Sequence, residues 1–302
     1  MTSSSSLARA DSVIRQASSW GTLLVSGPDR ATWLNGLITS DVKALGAAQG
    51  TWGLLLSRLG KVQSVIWSLS DGERLWLATA PGTLERVRGE LDRMLIMEDA
   101  ELEAPDSEHA WFALHGPRSL ARASELARAT GGVSGSLDWT GLGGAALVVP
   151  SAALEKVRAA GAWLDDEAWT KLRLERALPE YGVDYGEQDR PHEAGVERRA
   201  ISWSKGCYLG QEVVCMQDMR GKVKRSARVL KVDAPADVRW DGSEPLLDAA
   251  GKPAGTPTSR AYSELAGAWL VMAPLRLEAA EGPLTLSSGP GTRWQASLAP
   301  LV

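Results

Sequence analysis

The chain has few residues of the kinds that bind metals or form disulfides. Its 302 residues include two cysteines and three histidines. Cys207 and Cys215 form no Cys-x2-Cys pair, and no His-x3-His spacing occurs, which argues against a structural zinc site. Two cysteines also fall short of the ligand set that an iron–sulfur cluster usually takes. They provide no disulfide framework, so we expect a reducing compartment.

Long apolar runs and excess positive charge are also lacking. No run approaches the roughly 18 apolar residues that a membrane helix needs. The net charge of −4 disfavours general binding to nucleic acid, although residues 220–228 hold a local cluster of basic side chains. We predict a cytoplasmic protein with no membrane contact and no direct nucleic-acid partner. The alternative location is the mitochondrial matrix, because the Ser-rich residues 1–20 loosely fit a transit peptide.

Thirteen tryptophans stand against one phenylalanine, which predicts that tryptophan fills core positions. Alternating strand and helix patterns run through the first 225 residues, and short glycine-punctuated strand patterns follow. We therefore predict one region over residues 1–225 and a small all-β module over residues 226–302. Strands are predicted at 21–27, 50–57, 62–70, 109–114, 227–232, 269–272 and 284–286. Helices are predicted from Pro28 and at 84–95, 120–129, 152–163 and 166–178, with a hairpin turn at Asp71-Gly72.

The most distinctive stretch is the octet Lys205–Glu212, which reads Lys-Gly-Cys-Tyr-Leu-Gly-Gln-Glu. Cysteine reacts and binds metal as the thiolate, a form that a neighbouring cation such as Lys205 favours. Gly206 and Gly210 allow close backbone approach or a positive φ. The octet therefore indicates a functional thiol at Cys207. The alternative is a buried structural cysteine in a tight turn.

A second stretch runs from Arg173 to Asp184 and places Glu175 near the end of a predicted helix. A carboxylate can accept two N–H donors side by side from an aminopyrimidine ring such as a pterin. The alternative is a solvated helix face on which Glu175 pairs with Arg173 or Arg176.

These stretches belong to an ordered series that resembles the YgfZ family of folate-binding proteins, within the glycine-cleavage T-protein superfamily. The octet is the specific element, and the others add weight through their order. The series comprises Trp33–Val42, Leu56–Lys61, His115–Pro117, Arg173/Glu175, Gly182/Asp184, Pro191/Glu193, Lys205–Glu212, Arg220-Gly221 and Lys224-Arg225. The resemblance implies an α+β fold with interleaved ferredoxin-like lobes and a C-terminal β-barrel.

The resemblance also implies a tetrahydrofolate cofactor. Glu175 matches the carboxylate that holds the pterin, and Arg220 would suit the anionic glutamate tail. Cys207 and Lys205 are the residues expected to carry the chemistry. The remaining residues expected at the folate are Arg173, Tyr208, Gln211 and Glu212.

Two departures from the family pattern bear on activity. The glycine-cleavage enzyme has an acid shortly after its Gly-containing turn, whereas Val62-Gln63-Ser64 here hold no carboxylate, which general acid–base work would need. Cys215-Met216 also replace a typical Ala-Arg pair. Met216 thereby removes an expected folate contact, and Cys215 is either a second functional thiol or a small buried residue.

Three functions follow as hypotheses. The first is a folate-binding accessory protein for assembly or repair of iron–sulfur proteins, with an indirect effect on tRNA modification; iron–sulfur proteins or assembly factors are its partners. The second is a tetrahydrofolate-dependent one-carbon transferase. The third is a tRNA-modification factor that contacts RNA through residues 220–228.

Overall fold

The computed structural model describes residues 8–105, 108–221, 223–238, 244–287 and 293–299. The chain divides into two compact units. Unit 1 runs up to Asp165 and includes Arg199–Gln211, and unit 2 comprises Asp166–Arg198 and the residues from Glu212 onward. The helical residues 166–198 therefore belong to the same compact unit as the C-terminal strands. No helix within the described ranges is long and apolar enough to cross a membrane.

Unit 1 is built on a nine-stranded sheet of order β1-β7-β9-β8-β3-β4-β5-β2-β6. Neighbouring strands are antiparallel except β3 and β8. The strands are β1 Val13–Ala17, β2 Gly21–Ser26, β3 Gln49–Leu56, β4 Val62–Ser70, β5 Leu75–Thr79, β6 Glu101–Glu103, β7 His109–His115, β8 Val133–Ser136 and β9 Gly144–Pro150. The sheet has two halves, β3-β4-β5-β2-β6 and β1-β7-β9-β8, which meet where Gln49 lies opposite Ser136.

Each half-sheet carries its own helices and apolar core. Helices α1 (Arg30–Asn35) and α2 (Leu84–Asp92) pack on the first half, and α3 (Ser119–Thr130) and α4 (Leu154–Arg158) pack on the second. The chain begins in the second half with β1, crosses to the first half for β2 to β6, and returns at β7. This crossing is the interleaving of two lobes that the family resemblance implied.

The other faces of the two half-sheets meet across a tryptophan layer formed by Trp20, Trp52, Trp67, Trp111 and Trp139. The ring of Trp67 lies 4.3 Å from that of Trp20, 4.9 Å from that of Trp139 and 6.3 Å from that of Trp111. Facing sheets are separated by about 10 Å, and indole rings fill such a gap while making edge-to-face contacts. The layer confirms the predicted use of tryptophan in the core. Elsewhere Trp203 is exposed, and Trp240 lies outside the described residues.

The helices predicted over 84–95 and 166–178 end three residues early, at Asp92 and Glu175, and two others differ more. The helix from Pro28 stops at Asn35, because the chain turns at Gly36 and Ile38 pairs instead with Leu55. In place of the helix expected over 152–163, the chain forms a 3₁₀ turn followed by the short helix α4. Trp163 then forms a parallel β-bridge with Ile14. The hairpin at Asp71-Gly72 is confirmed between β4 and β5.

The C-terminal sheet of unit 2 has seven antiparallel strands in the order β12-β11-β15-β16-β10-β14-β13. The strands are β10 Arg225–Val232, β11 Leu246–Leu247, β12 Pro253–Gly255, β13 Ser259–Ser263, β14 Ala268–Arg276, β15 Leu284–Ser287 and β16 Arg293–Leu298. The edge strand β12 reaches β14, where Arg276 Nε donates to the Pro253 carbonyl at 3.0 Å. The predicted β-barrel is therefore a curled half-barrel. The remaining helices of the chain are α5 Asp166–Glu175, α6 Pro191–Ala194, α7 Glu197–Ala200 and α8 Gln211–Arg220.

His115, the last residue of β7, is completely buried between Val13 of β1 and Gly144 of β9. Burial, reinforced by the positive charge of Arg15, lowers the pKa of its imidazole from 6.5 to about 3. Between these two values the unfolded chain binds a proton at this site and the folded chain does not. Acid therefore favours unfolding over that range.

We expect the free energy of unfolding to fall by about 2 kcal/mol between pH 7 and pH 5 because of His115. Urea unfolding of the wild type and of His115→Gln at several pH values measures this contribution. In the variant, the free energy of unfolding is expected to change less with pH, by the part due to His115. His109→Gln serves as the control. Parallel slopes for wild type and His115→Gln would contradict the assignment.

Candidate functional site

In unit 1 the octet lies against the loop that follows α1. The Leu209 N–H donates to the Gly36 carbonyl at 3.1 Å. The Ser202 N–H donates to the Thr39 carbonyl at 2.9 Å, and the Thr39 hydroxyl donates to the Ala200 carbonyl at 2.6 Å. Two of the sequence elements that carry the family resemblance, Trp33–Val42 and the octet, are thereby brought into contact.

Lys205 is directed toward the same loop. Its Nζ donates to the carbonyls of Ile38 and Ser40 at 2.8 and 2.6 Å, and it lies 5.7 Å from the centre of the Tyr208 ring. Burial lowers the pKa of this ammonium group to about 8, although the nearby Asp41 carboxylate opposes the shift. Two of the three N–H groups of Lys205 are therefore used on backbone oxygens.

The thiol of Cys207 is exposed, so the alternative of a buried structural cysteine is wrong. Gly210 closes the octet turn with φ +82°, and a Cβ there would lie 2.6 Å from the Ser57 carbonyl oxygen. The turn at Leu56–Lys61, another element of the family resemblance, thus packs directly against the octet. Three elements that are distant in sequence together hold one exposed thiol.

The other residues predicted around the octet occupy different environments. Tyr208 is buried, and its carbonyl accepts the N–H of Gln211, the first residue of α8. Glu212 is exposed in the first turn of α8, and Arg220 is exposed in the last. Their folate roles remain predictions.

Cys215 and Met216 lie midway along α8. Cys215 is half-buried and Met216 is 39% exposed. Of the basic cluster at 220–228, Lys222 lies outside the described residues. Among the side chains that the structure does describe, no group of three histidine, cysteine, aspartate or glutamate residues is placed to hold a metal ion.

In unit 2 the guanidinium of Arg173 lies in a buried polar network. It contacts Asp184 Oδ2 at 2.5 Å, Ser259 Oγ at 2.5 Å and Glu180 Oε2 at 3.1 Å. Asp184 also accepts from the hydroxyls of Thr258 and Ser259, both at 2.6 Å. Arg173 is 1% exposed, so a solvated helix face is wrong for this residue.

Glu175 is also buried, two residues along the same helix. Its Oε1 accepts the Ser263 hydroxyl at 2.7 Å. Arg173 and Glu175 thus bind Ser259 and Ser263 at the two ends of β13. Sequence reasoning missed both serines, because serine on a short strand has no distinctive pattern.

The position expected to carry an acid in the transferases has no ionisable group. Ser64 is fully buried in β4, and its hydroxyl lies 2.7 Å from the hydroxyl of Thr83. Val62 is buried as well, and the side chain of Gln63 is neutral. None of these side chains can act as an acid or base at neutral pH.

The chain is similar to proteins of one superfamily. A family model described as GCVT N-terminal domain matches residues 3–134. The tRNA-modifying protein YgfZ of Yersinia pestis (strain Pestoides F) is 25% identical over 248 residues, which cover 74% of each chain. The protein of the same name from Serratia proteamaculans (strain 568) is 26% identical over 68% of this chain and 67% of its own.

A solved structure, the glycine cleavage system aminomethyltransferase T from Bartonella henselae, matches the fold with a TM-score of 0.77. It covers 96% of this chain and 86% of its own at 19% identity. This match confirms the predicted α+β T-protein-like fold. The chain is thus similar to the YgfZ proteins in sequence and to the glycine-cleavage T protein in fold.

Proposed function

We propose that this protein is a cytoplasmic, tetrahydrofolate-binding accessory protein in the assembly or repair of iron–sulfur proteins. The observation that carries the proposal is the exposed Cys207 on a turn that contacts two other segments, residues 36–40 and Leu56–Lys61. The position of the transferase acid is meanwhile occupied by a buried hydroxyl pair. Cys207 thus offers an exposed thiol, whereas residues 62–64 offer no acid.

Cys207 is the group proposed to act on iron or sulfur. A thiolate binds iron and also attacks disulfide or persulfide sulfur, from which a partner thiolate leaves. One cysteine cannot hold a cluster alone, so Cys207 would bind iron, or a sulfane sulfur taken from a partner persulfide, transiently and pass it to an iron–sulfur protein that supplies the other ligands. The curated relatives are named tRNA-modifying proteins. An iron–sulfur enzyme that modifies tRNA would link that name to this chemistry without direct RNA contact.

Glu175 is the residue proposed to hold the pterin. Its carboxylate is buried and oriented by Ser263. A carboxylate has about four lone-pair sites, so it can accept two N–H donors from a pterin besides the serine hydroxyl. Arg173 keeps α5 fixed to β13 and thereby supports Glu175. Tetrahydrofolate would supply one-carbon chemistry when bound.

The one-carbon transferase remains a weaker alternative. It shares the folate contact but needs a titratable group near the reacting nitrogen. Residues 62–64 supply none, and the hydroxyl of Ser64 is already paired with Thr83. Turnover of a methylamine-type donor by the purified protein with tetrahydrofolate would support this alternative.

Replacement of Cys207 by serine tests the proposal in cells that lack the wild-type protein. We expect the activities of iron–sulfur enzymes to stay at the level of the deletion, because serine has no thiolate. Cys215→Ser is the matched control and is expected to restore activity. Equal restoration by Cys207→Ser and wild type, at equal protein levels, would contradict the proposal.

A further inference from the structure

Lys205 bonds to two backbone oxygens of the loop formed by residues 36–40. The carbonyls of Ile38 and Ser40 accept from its Nζ at 2.8 and 2.6 Å. Hydrogen bonds from a charged donor are stronger than those between neutral groups. A half-buried ammonium group also favours such acceptors, which makes this arrangement costly to break.

Backbone groups make two further hydrogen bonds between this loop and the octet region. Gly36 accepts from the Leu209 N–H, and Thr39 accepts from the Ser202 N–H. Along the loop, the carbonyls of residues 36 and 39 accept from backbone N–H groups, and those of residues 38 and 40 accept from Lys205. The lysine side chain thus takes the place of backbone donors in an irregular ladder. Without it, two buried carbonyls in this contact would lose their donor.

The surroundings of Lys205 differ from those of the thiol. Its ammonium group points into the loop and lies against the buried Tyr208 ring, whereas Cys207 is exposed. We propose that Lys205 is a positioning residue that fastens the octet to the 36–40 loop and so presents Cys207 at the surface. In this role it is not the counter-ion of the thiolate. This role requires no folate, iron or client protein.

Two measurements on the full chain separate the two roles. The first is amide hydrogen exchange at Leu209 and Ser202, which reports the ladder. The second is the pH midpoint of Cys207 alkylation by iodoacetamide in a Cys215→Ser background. In Lys205→Met we expect exchange at both amides to rise by about tenfold, since the ladder opens locally. The alkylation midpoint is expected to stay within about 0.3 pH unit, because the thiol has lost no charge partner.

Lys205→Gln supports the same distinction if the methionine variant folds poorly. Glutamine keeps two N–H donors without a charge, so we expect exchange between that of wild type and Lys205→Met, and no change in midpoint. The exposed Lys43, replaced by methionine, controls for loss of one positive charge near this loop. A rise of the midpoint by about one unit in both Lys205 variants would identify a counter-ion and overturn the inference. Unchanged exchange in Lys205→Met would overturn it as well.

Discussion

Replacement of Arg173 by methionine is expected to lower the free energy of unfolding by about 3–5 kcal/mol. The guanidinium is 1% exposed and serves Asp184, Glu180 and Ser259 together. Methionine fills much of the same volume but supplies no donor. The Asp184 carboxylate would then be a buried charge without its cation, which is the costly outcome for a buried pair. Urea unfolding followed by far-UV circular dichroism measures the loss.

Lys171 provides the matched control on the same helix. Its ammonium group pairs with Glu264, whose side chain is 66% exposed. Such a pair contributes about 0–1 kcal/mol, so Lys171→Met is expected to change stability little. Similar losses for Lys171→Met and Arg173→Met would mean that the buried network does not stabilise unit 2 as described.

Gly210→Ala is expected to destabilise unit 1 by about 2–4 kcal/mol and to loosen the octet. Its φ of +82° is unfavourable for alanine, and the added Cβ would lie 2.6 Å from the Ser57 carbonyl oxygen. Backbone atoms on both sides leave little room for adjustment. Urea unfolding gives the stability, and hydrogen exchange at Leu209 reports the octet.

Gly206 offers the control within the same octet. A Cβ at Gly206 would have no heavy atom within 4 Å. Gly206→Ala is therefore expected to stay within about 0.5 kcal/mol of wild type. If both alanine variants behave alike, the packing of Gly210 against the Leu56–Lys61 turn is not important for stability.

The octet could be singled out from the sequence, but the contacts that support it could not. The octet is recognisable because Lys205, Cys207 and two glycines are unusual side-chain choices at close spacing. Its contacts with Gly36, Ile38 and Ser40 use backbone oxygens, which every residue has. Such backbone contacts cannot be recognised from the types of the residues that make them. For the same reason the role of Lys205 was predicted from its neighbour Cys207 alone.

The fold was predictable where periodicity and family elements agreed. The hairpin at Asp71-Gly72 and the strand at Val62–Ser70 are as predicted, because turn residues and alternation both mark them. The length of the helix over 152–163 was overestimated, since the apolar spacing did not reveal that Trp163 forms a β-bridge with Ile14. Burial of Arg173 was missed because a charged residue on a helix usually faces water.

Titration of the purified protein with tetrahydrofolate, followed by tryptophan fluorescence, tests whether the protein binds this cofactor through Glu175. We expect saturable quenching for wild type and for Cys207→Ser, since Glu175 and not the thiol is proposed to hold the pterin. Glu175→Gln keeps an acceptor for Ser263 but places an N–H₂ toward the pterin, so its binding is expected to weaken by about tenfold or more. The exposed Glu167→Gln on the same helix should bind like wild type. Absence of saturable quenching in wild type at millimolar tetrahydrofolate, or equal affinity in Glu175→Gln, would contradict the account.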